Sequence, residues 1–366
     1  MNNLTLVNPL VVATGHFDNG SSNESIWLPT VEDNGENAKW ILYLFIIFFI
    51  SGTCVNFIET VALLTCKKKN GVSIIISQIN VSDVLLFLVA VLEFLNANSQ
   101  RWKFNTQTCM LYNGTELLAN TLIIYLQICL NFHVVTYWNL YDVETVKNNR
   151  NPLTTFNEGL SSECLVATSE NRTITINYRK RKNDVPVMLP ILFIWILCLS
   201  VSMPKYFLSS IIEQQRTLCV ILQNDNGKML YFMVVLFCVS FPCALLLVTL
   251  FMLIYKFVTI SKKEIDNGLT KQFEEIRRYL LSCILLSLFY ILTSYHKHFF
   301  EMHETFRELP YTKVFYYSNF SNNVYPLILN YCGSCFRGFI WYFLVPNVKQ
   351  AINTKLLICG NKDIKK

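Results

Sequence analysis

Seven stretches of this chain stay apolar for about twenty residues or more, and they limit what it can fold into. They run Trp40–Cys66, Val72–Leu95, Leu111–Tyr141, Val187–Ser209, Met229–Ile260, Tyr279–Phe300 and Val314–Phe336. Backbone amides must pair internally in hydrocarbon, and about 20 residues of helix cross the apolar core of a bilayer. The expected fold is therefore an all-α membrane protein, a seven-helix transmembrane bundle. Composition agrees: of 366 residues, 52% are hydrophobic and 15% charged, more apolar than a soluble chain of this size. The third and seventh runs are the most polar, which turns them towards the bundle interior.

Orientation follows from the basic residues. With the amino terminus outside, the inner side holds Lys67–Lys69, the cluster Arg179–Lys182, the cations between Lys256 and Arg278, and those from Arg337 onward. This is most of the Lys and Arg, and positive charge collects on the inner side of a membrane. The net charge of +6 thus reflects orientation and attraction to anionic membrane lipid; no nucleic-acid partner is implied. Residues 1–38 read as a polar extracellular tail with glycosylation sequons at Asn3, Asn19 and Asn23. They show no apolar segment behind a basic start, so the first helix is expected to act as its own insertion signal. Residues 39–336 form the helical domain, and 337–366 a short amphipathic eighth helix and cytoplasmic tail.

The chain has 13 cysteines. Most fall inside apolar runs, where a thiol serves as a small hydrophobe. Cys109 opens the third run on the outer side, and Cys219 lies in the outer loop between runs four and five. Both face the oxidising compartment, and a bridge between them is expected.

The stretch RWKFNTQTC ahead of the third run places Trp102 and Phe104 before Cys109. It resembles the W-x-F-x-x-x-x-C first outer loop of class A (rhodopsin-like) G-protein-coupled receptors. Other positions extend the resemblance in order: Asn56 in helix one, Asp83 within NVSDVLLFL in helix two, Trp195 and Pro204 in helix four, and Pro242 in helix five. In helix seven, YPLILNYCGSCFRGF is similar to N-P-x-x-Y followed by the opening of an eighth helix, with Pro326, Phe336 and Arg337 as the matching residues. CKKKNGVSIIISQINVSDVLLFL and SYHKHFFEMHETF look most like chemokine receptors, and the Asn-, Ile- and Lys-rich composition resembles a virus-encoded, poxvirus-type member. The resemblance implies an extracellular chemokine or basic peptide ligand, residence in the plasma membrane of the host cell, coupling to a heterotrimeric G protein, and heteromers with host receptors.

The departures fall on the family's switch residues. Counted from Cys109, the aspartate-arginine-tyrosine at the inner end of helix three is replaced by His133, Val134 and Val135. Leu292 and Ser294 stand where the family has its toggle tryptophan and kink proline. Tyr325 and Leu329 stand for the asparagine and tyrosine of helix seven. Coupling to G protein is therefore expected to be weak.

Polar residues inside the membrane mark the remaining candidates. Asp83 is expected to pair with Asn56, Asn322 and Asn323; in the family this pocket holds Na+, and here a sodium site and a neutral hydrogen-bonded network stand as equal alternatives. Glu93 and Glu116 lie higher, towards the outer face, and with Tyr295 and His296 form the expected ligand site. Two acids in an apolar cup suit a cationic ligand group; the alternative is pairing with Lys297 or Lys205. His296, His298 and His303 do not have the spacing of a metal site. No nucleophile–base set or phosphate loop occurs in the aqueous segments, so no enzymatic activity is expected. Residues 142–185 form a long inner loop, expected to be a solvated insert, and SKKEIDNGLTKQFEEIRR extends helices five and six inwards. A signalling receptor and a non-signalling decoy or modulator of host receptors remain the two functional readings.

Overall fold

The computed structural model describes residues 35–65, 70–99, 102–150, 164–167, 174–177, 186–213, 217–221, 233, 236–267, 271–294 and 320–362. Helix α1 spans Gly35–Leu64, α2 Gly71–Ser99, α3 Thr106–Arg150, α4 Met188–Leu208, α5 Phe241–Asn267, α6 Lys271–Thr293, α7 Phe320–Leu344 and α8 Pro346–Lys362. Six described helices are long and apolar enough to cross a membrane; α7, at 25 residues, completes the bundle.

Helix α3 is the axis. In its spanning window 89% of the residues are buried, against 28% in α1 and in α4, and it packs on α2, α4, α5 and α6. Around it, α1 contacts α2 and α7, α5 contacts α6, and α6 contacts α7. The shared core is built from Ile75, Ile76 and Ile79 of α2 and Leu122, Ile123 and Leu126 of α3, with Trp341 of α7. The outer faces are apolar too. Leu189, Phe193 and Phe207 of α4 and Phe251 of α5 are all more than 60% exposed, a surface stable only against hydrocarbon. The chain is an integral, multi-pass membrane protein.

Each outer-side device has a local cause. Asn105 caps α3: its Oδ1 accepts from Thr108 N at 2.9 Å and from Thr108 Oγ1 at 2.7 Å. Strands β3 (Ser209–Glu213) and β4 (Thr217–Ile221) pair antiparallel, with Ile211 opposite Cys219. Sequence reading did not foresee this outer hairpin. Before α5 the chain makes a π turn over Leu236–Ser240. Pro242 has no N–H to offer the Phe237 carbonyl five residues back. The Tyr125 hydroxyl of α3 donates to that carbonyl instead, at 2.8 Å.

The inner side differs from expectation in three places. Helix α3 continues to Arg150, so residues 142–150 are helical, and strands β1 (Cys164–Ala167) and β2 (Ile174–Asn177) pair within the expected solvated insert. Helix α7 runs to Leu344, because GFIWYFL keeps it apolar after Arg337. The eighth helix therefore starts at Pro346 rather than at residue 337, with proline in the first helical position. The inward extension of the fifth and sixth helices matches expectation, since only residues 268–270 separate α5 from α6.

Candidate functional site

The outer end is held by the Cys109–Cys219 disulfide, with Cα atoms 5.6 Å apart. Trp102, 3% exposed, packs beside it, with ring centres 5.4 Å from Phe104 and 5.5 Å from Tyr112. Val89, Leu92 and Ile211 close the same cluster. The loop aromatics thus fill the space between the tip of α2, the head of α3 and the hairpin that the bridge draws in. Two turns below Cys109, Glu116 Oε2 lies 3.8 Å from Lys205 Nζ of α4, both side chains 7% exposed. That is ion-pair distance but too long for a hydrogen bond. Gly114 allows α3 and α4 to meet here: a Cβ on it would lie 2.3 Å from the Tyr206 ring. The Tyr206 hydroxyl meets Thr115 Oγ1 at 3.0 Å. Glu93 belongs to α2, but its side chain, like Tyr295, His296, His298, His303 and the three sequons, lies outside the described residues.

At mid-depth the expected pocket is rearranged. Asp83 is fully buried and held by Arg337 through two bonds, Nε to Oδ2 at 2.9 Å and Nη2 to Oδ1 at 3.1 Å. Nη2 also donates to Ser334 Oγ at 3.2 Å. The fork of the guanidinium matches both carboxylate oxygens and supplies the positive charge a sodium ion would bring. The residues present therefore do not fit Na+ at Asp83. Asn322 and Asn323 belong to α7, but their side chains lie outside the described residues. They stand 14 or 15 residues from Arg337 along one helix, about 20 Å at 1.5 Å per residue. Asn56 is at the right depth and ties α1 to α7, its Nδ2 donating to Gly52 O at 2.9 Å and Ser334 O at 3.2 Å.

This geometry corrects the register of helix seven. The residues facing Asp83 and Asn56 are Arg337 and Gly338, so the family's Asn-Pro pair is replaced by Arg337-Gly338. Its tyrosine position falls on Trp341, which is fully buried. Pro326 lies three turns higher, and Leu329, 39% exposed, cannot stand for the tyrosine. The sequence match failed because Arg337 was taken as an interfacial cation. The seven apolar residues after it were the available signal. Helix six has a similar shift: Leu292 is 64% exposed, while Tyr290 is buried at 3%.

Towards the inner face a polar clasp joins three helices. Asn131 Nδ2 of α3 donates to Thr249 Oγ1 of α5 at 3.1 Å and to Ser287 Oγ of α6 at 3.0 Å. Gln127 Nε2 donates to Asn131 Oδ1 at 3.0 Å. One turn below, Val134 and Val135 are buried, and the His133 ring lies over the start of α2 and meets Gly71. Trp195 Nε1 of α4 donates to Gln78 Oε1 of α2 at 3.1 Å. Sequence reading missed the clasp and also Glu59, a buried acid of α1 that accepts from Asn80 Nδ2 at 3.0 Å.

An integral bundle with a central third helix and a disulfide from the head of that helix to the hairpin after α4 has the layout of a seven-helix receptor. The sequence profile described as "7 transmembrane receptor (rhodopsin family)" matches residues 150–336, just over half of the chain. The chain belongs to the rhodopsin family of seven-transmembrane receptors. No curated protein matches it.

Proposed function

We propose that this protein is a plasma-membrane receptor of the chemokine or peptide type, amino terminus outside, whose ligand presents a basic group to Glu116 and whose coupling to G protein is weak or absent. The observation that carries this reading is the inner end of α3, where the side chains at the family's aspartate-arginine-tyrosine positions are His133, Val134 and Val135, all less than 10% exposed. None of them can reach out as an arginine does. The Asn131 clasp supports the same reading, because it joins α3, α5 and α6 just above this surface.

At the outer end, Lys205 stands off from Glu116 at 3.8 Å, so a ligand amine or guanidinium can compete for the carboxylate. Glu93, Tyr295 and His296 complete the proposed cup, and Asn3, Asn19 and Asn23 would carry glycans. Binding of labelled chemokines and basic peptides to cells expressing the receptor tests the site. Glu116→Gln should weaken binding by about 1–3 kcal/mol, the worth of a hydrogen bond to a charged group. Unchanged affinity would leave the acid as a structural partner of Lys205. A non-signalling decoy, or a partner that modulates host receptors, is the second reading, and the clasp favours it. Ligand uptake without a second-messenger response would select it.

A further inference from the structure

Helices α2 and α4 both begin at the end of the bundle opposite the disulfide. Trp195 Nε1 donates to Gln78 Oε1, and each of these residues stands seven places into its helix, counted from Met188 and Gly71. The two helices therefore start at about the same depth. Neither start has a side-chain cap. In α2 the first amide bonded along the helix is that of Ile74, to Asn70 O at 3.1 Å. Among the described residues, the amides of Gly71, Val72 and Ser73 have no acceptor. Helix α4 follows Val187, which makes no side-chain cap bond, and Pro190 has no N–H, so Met188 and Leu189 present the open amides there. Unsatisfied amides and aligned peptide dipoles give each start a partial positive charge.

His133 stands between them. A Cβ on Gly71 would lie 2.7 Å from His133 Cε1 and from Nε2, and 2.9 Å from Val187 Cγ1. The far edge of the imidazole, the first residue of α2 and the residue before α4 thus meet at one point. His133 is only 9% exposed, and among the described residues no group hydrogen-bonds to it, although a buried polar group calls for a partner. Asn70 and Pro186, just ahead of the two helices, are exposed, so the place opens outwards. The chain enters α2 through Lys67, Lys68 and Lys69, and it approaches α4 through Arg179–Lys182, with Asp184 the one acid in these approaches. Open donors from three elements, with basic runs behind two of them, match a group that has several acceptor oxygens and negative charge.

We propose that His133 and the amides at the starts of α2 and α4 form a seat for an anionic phosphate group, supplied by the headgroup of a membrane lipid or by free phosphate. The imidazole donates from Nε2 to one oxygen, the helix amides donate to others, and the basic runs balance the charge. The seat depends neither on the extracellular ligand nor on coupling to G protein.

Thermal unfolding of the purified full-length receptor in a neutral detergent, at fixed pH and ionic strength, tests it. One arm titrates inorganic phosphate against chloride. The other titrates a short-chain phosphatidic acid against the matching phosphatidylcholine, whose phosphate carries choline. The midpoint should climb with the phosphate probe, as binding to the native state requires. A climb in the lipid arm alone makes the headgroup the source; a climb in the inorganic arm makes it the free ion. His133→Phe keeps a ring and removes the donor. It should push the response to about tenfold higher concentration or more, the loss expected of one hydrogen bond to a charged group. His133→Gln, which keeps an N–H, should restore part of it. Asn70→Asp sets a carboxylate at the exposed start of α2 and should weaken the response as well; this variant decides the matter if His133→Phe does not fold. A flat midpoint in both arms would overturn the seat. So would a response that His133→Phe and Asn70→Asp leave unchanged, since the basic runs alone would then gather the charge.

Discussion

Asp83 and Arg337 show how far a single side chain can redirect a buried site. Neither charge is tolerable alone in the bundle, because leaving one member of a buried pair unpartnered costs about 3–5 kcal/mol. Arg337→Met should therefore lower the thermal midpoint of the purified receptor sharply, and Asp83→Leu should do the same. The double variant should recover most of the loss, because an apolar replacement for the whole pair is often neutral or better. If the losses simply add in the double variant, the two side chains do not depend on each other as their geometry requires. Asp83 was legible in the sequence as a buried acid in need of a partner; the partner was not. A cation near the end of an apolar run reads naturally as its boundary, and only the three-dimensional contact shows that Arg337 lies inside the run. Glu59 was missed for a related reason. One acid in a long apolar helix leaves no periodic trace, and its partner Asn80 sits 21 residues away on the next helix.

Elements were more legible than sites. Seven apolar runs gave the seven helices, with ends displaced where polar groups pair inside the membrane, as at α7, or where helix continues into water, as at α3. Cys109 and Cys219 were assigned from their side of the membrane alone, and the structure joins them. The hairpin that carries Cys219 was not legible, because its strands are only 5 residues each and the first follows α4 without a break. The bridge spans 110 residues of chain, for which the chain-entropy argument gives about 5 kcal/mol. Cys109→Ser or Cys219→Ser should abolish surface staining of the intact receptor; normal staining and ligand binding would show that the hairpin holds its place without the bond. The clasp is a second test at this scale. Asn131→Leu removes the bonds to α5 and α6 and strands Gln127, a loss of about 1–3 kcal/mol. Amide hydrogen exchange in the middle of α6 should quicken accordingly, while exchange in α1 should not.

For the whole molecule, the disulfide-held end keeps the receptor layout, while the other end of α3 buries His133, Val134 and Val135. Agonist-driven nucleotide exchange, measured across G-protein classes at matched expression, is expected to be weak or absent. Val134→Arg alone will not restore it. Val134 is 3% exposed, so an arginine there starts as an unpaired buried charge, and lower expression is the expected result. Robust exchange by the unmodified chain would show that another inner segment, such as the one carrying β1 and β2, supplies the contact.

The Asp83–Arg337 pair also has a consequence for descent. A lineage that acquired both charges cannot shed either by a single replacement without passing through a poorly folding intermediate, so the pair acts as a ratchet. Sequences that share ancestry with this chain after the pair arose should carry both residues, or lack both, and should rarely be caught with one. A set of such sequences in which arginine at this place occurs freely without the acid would show that the helix-seven cation found its partner late, or has another.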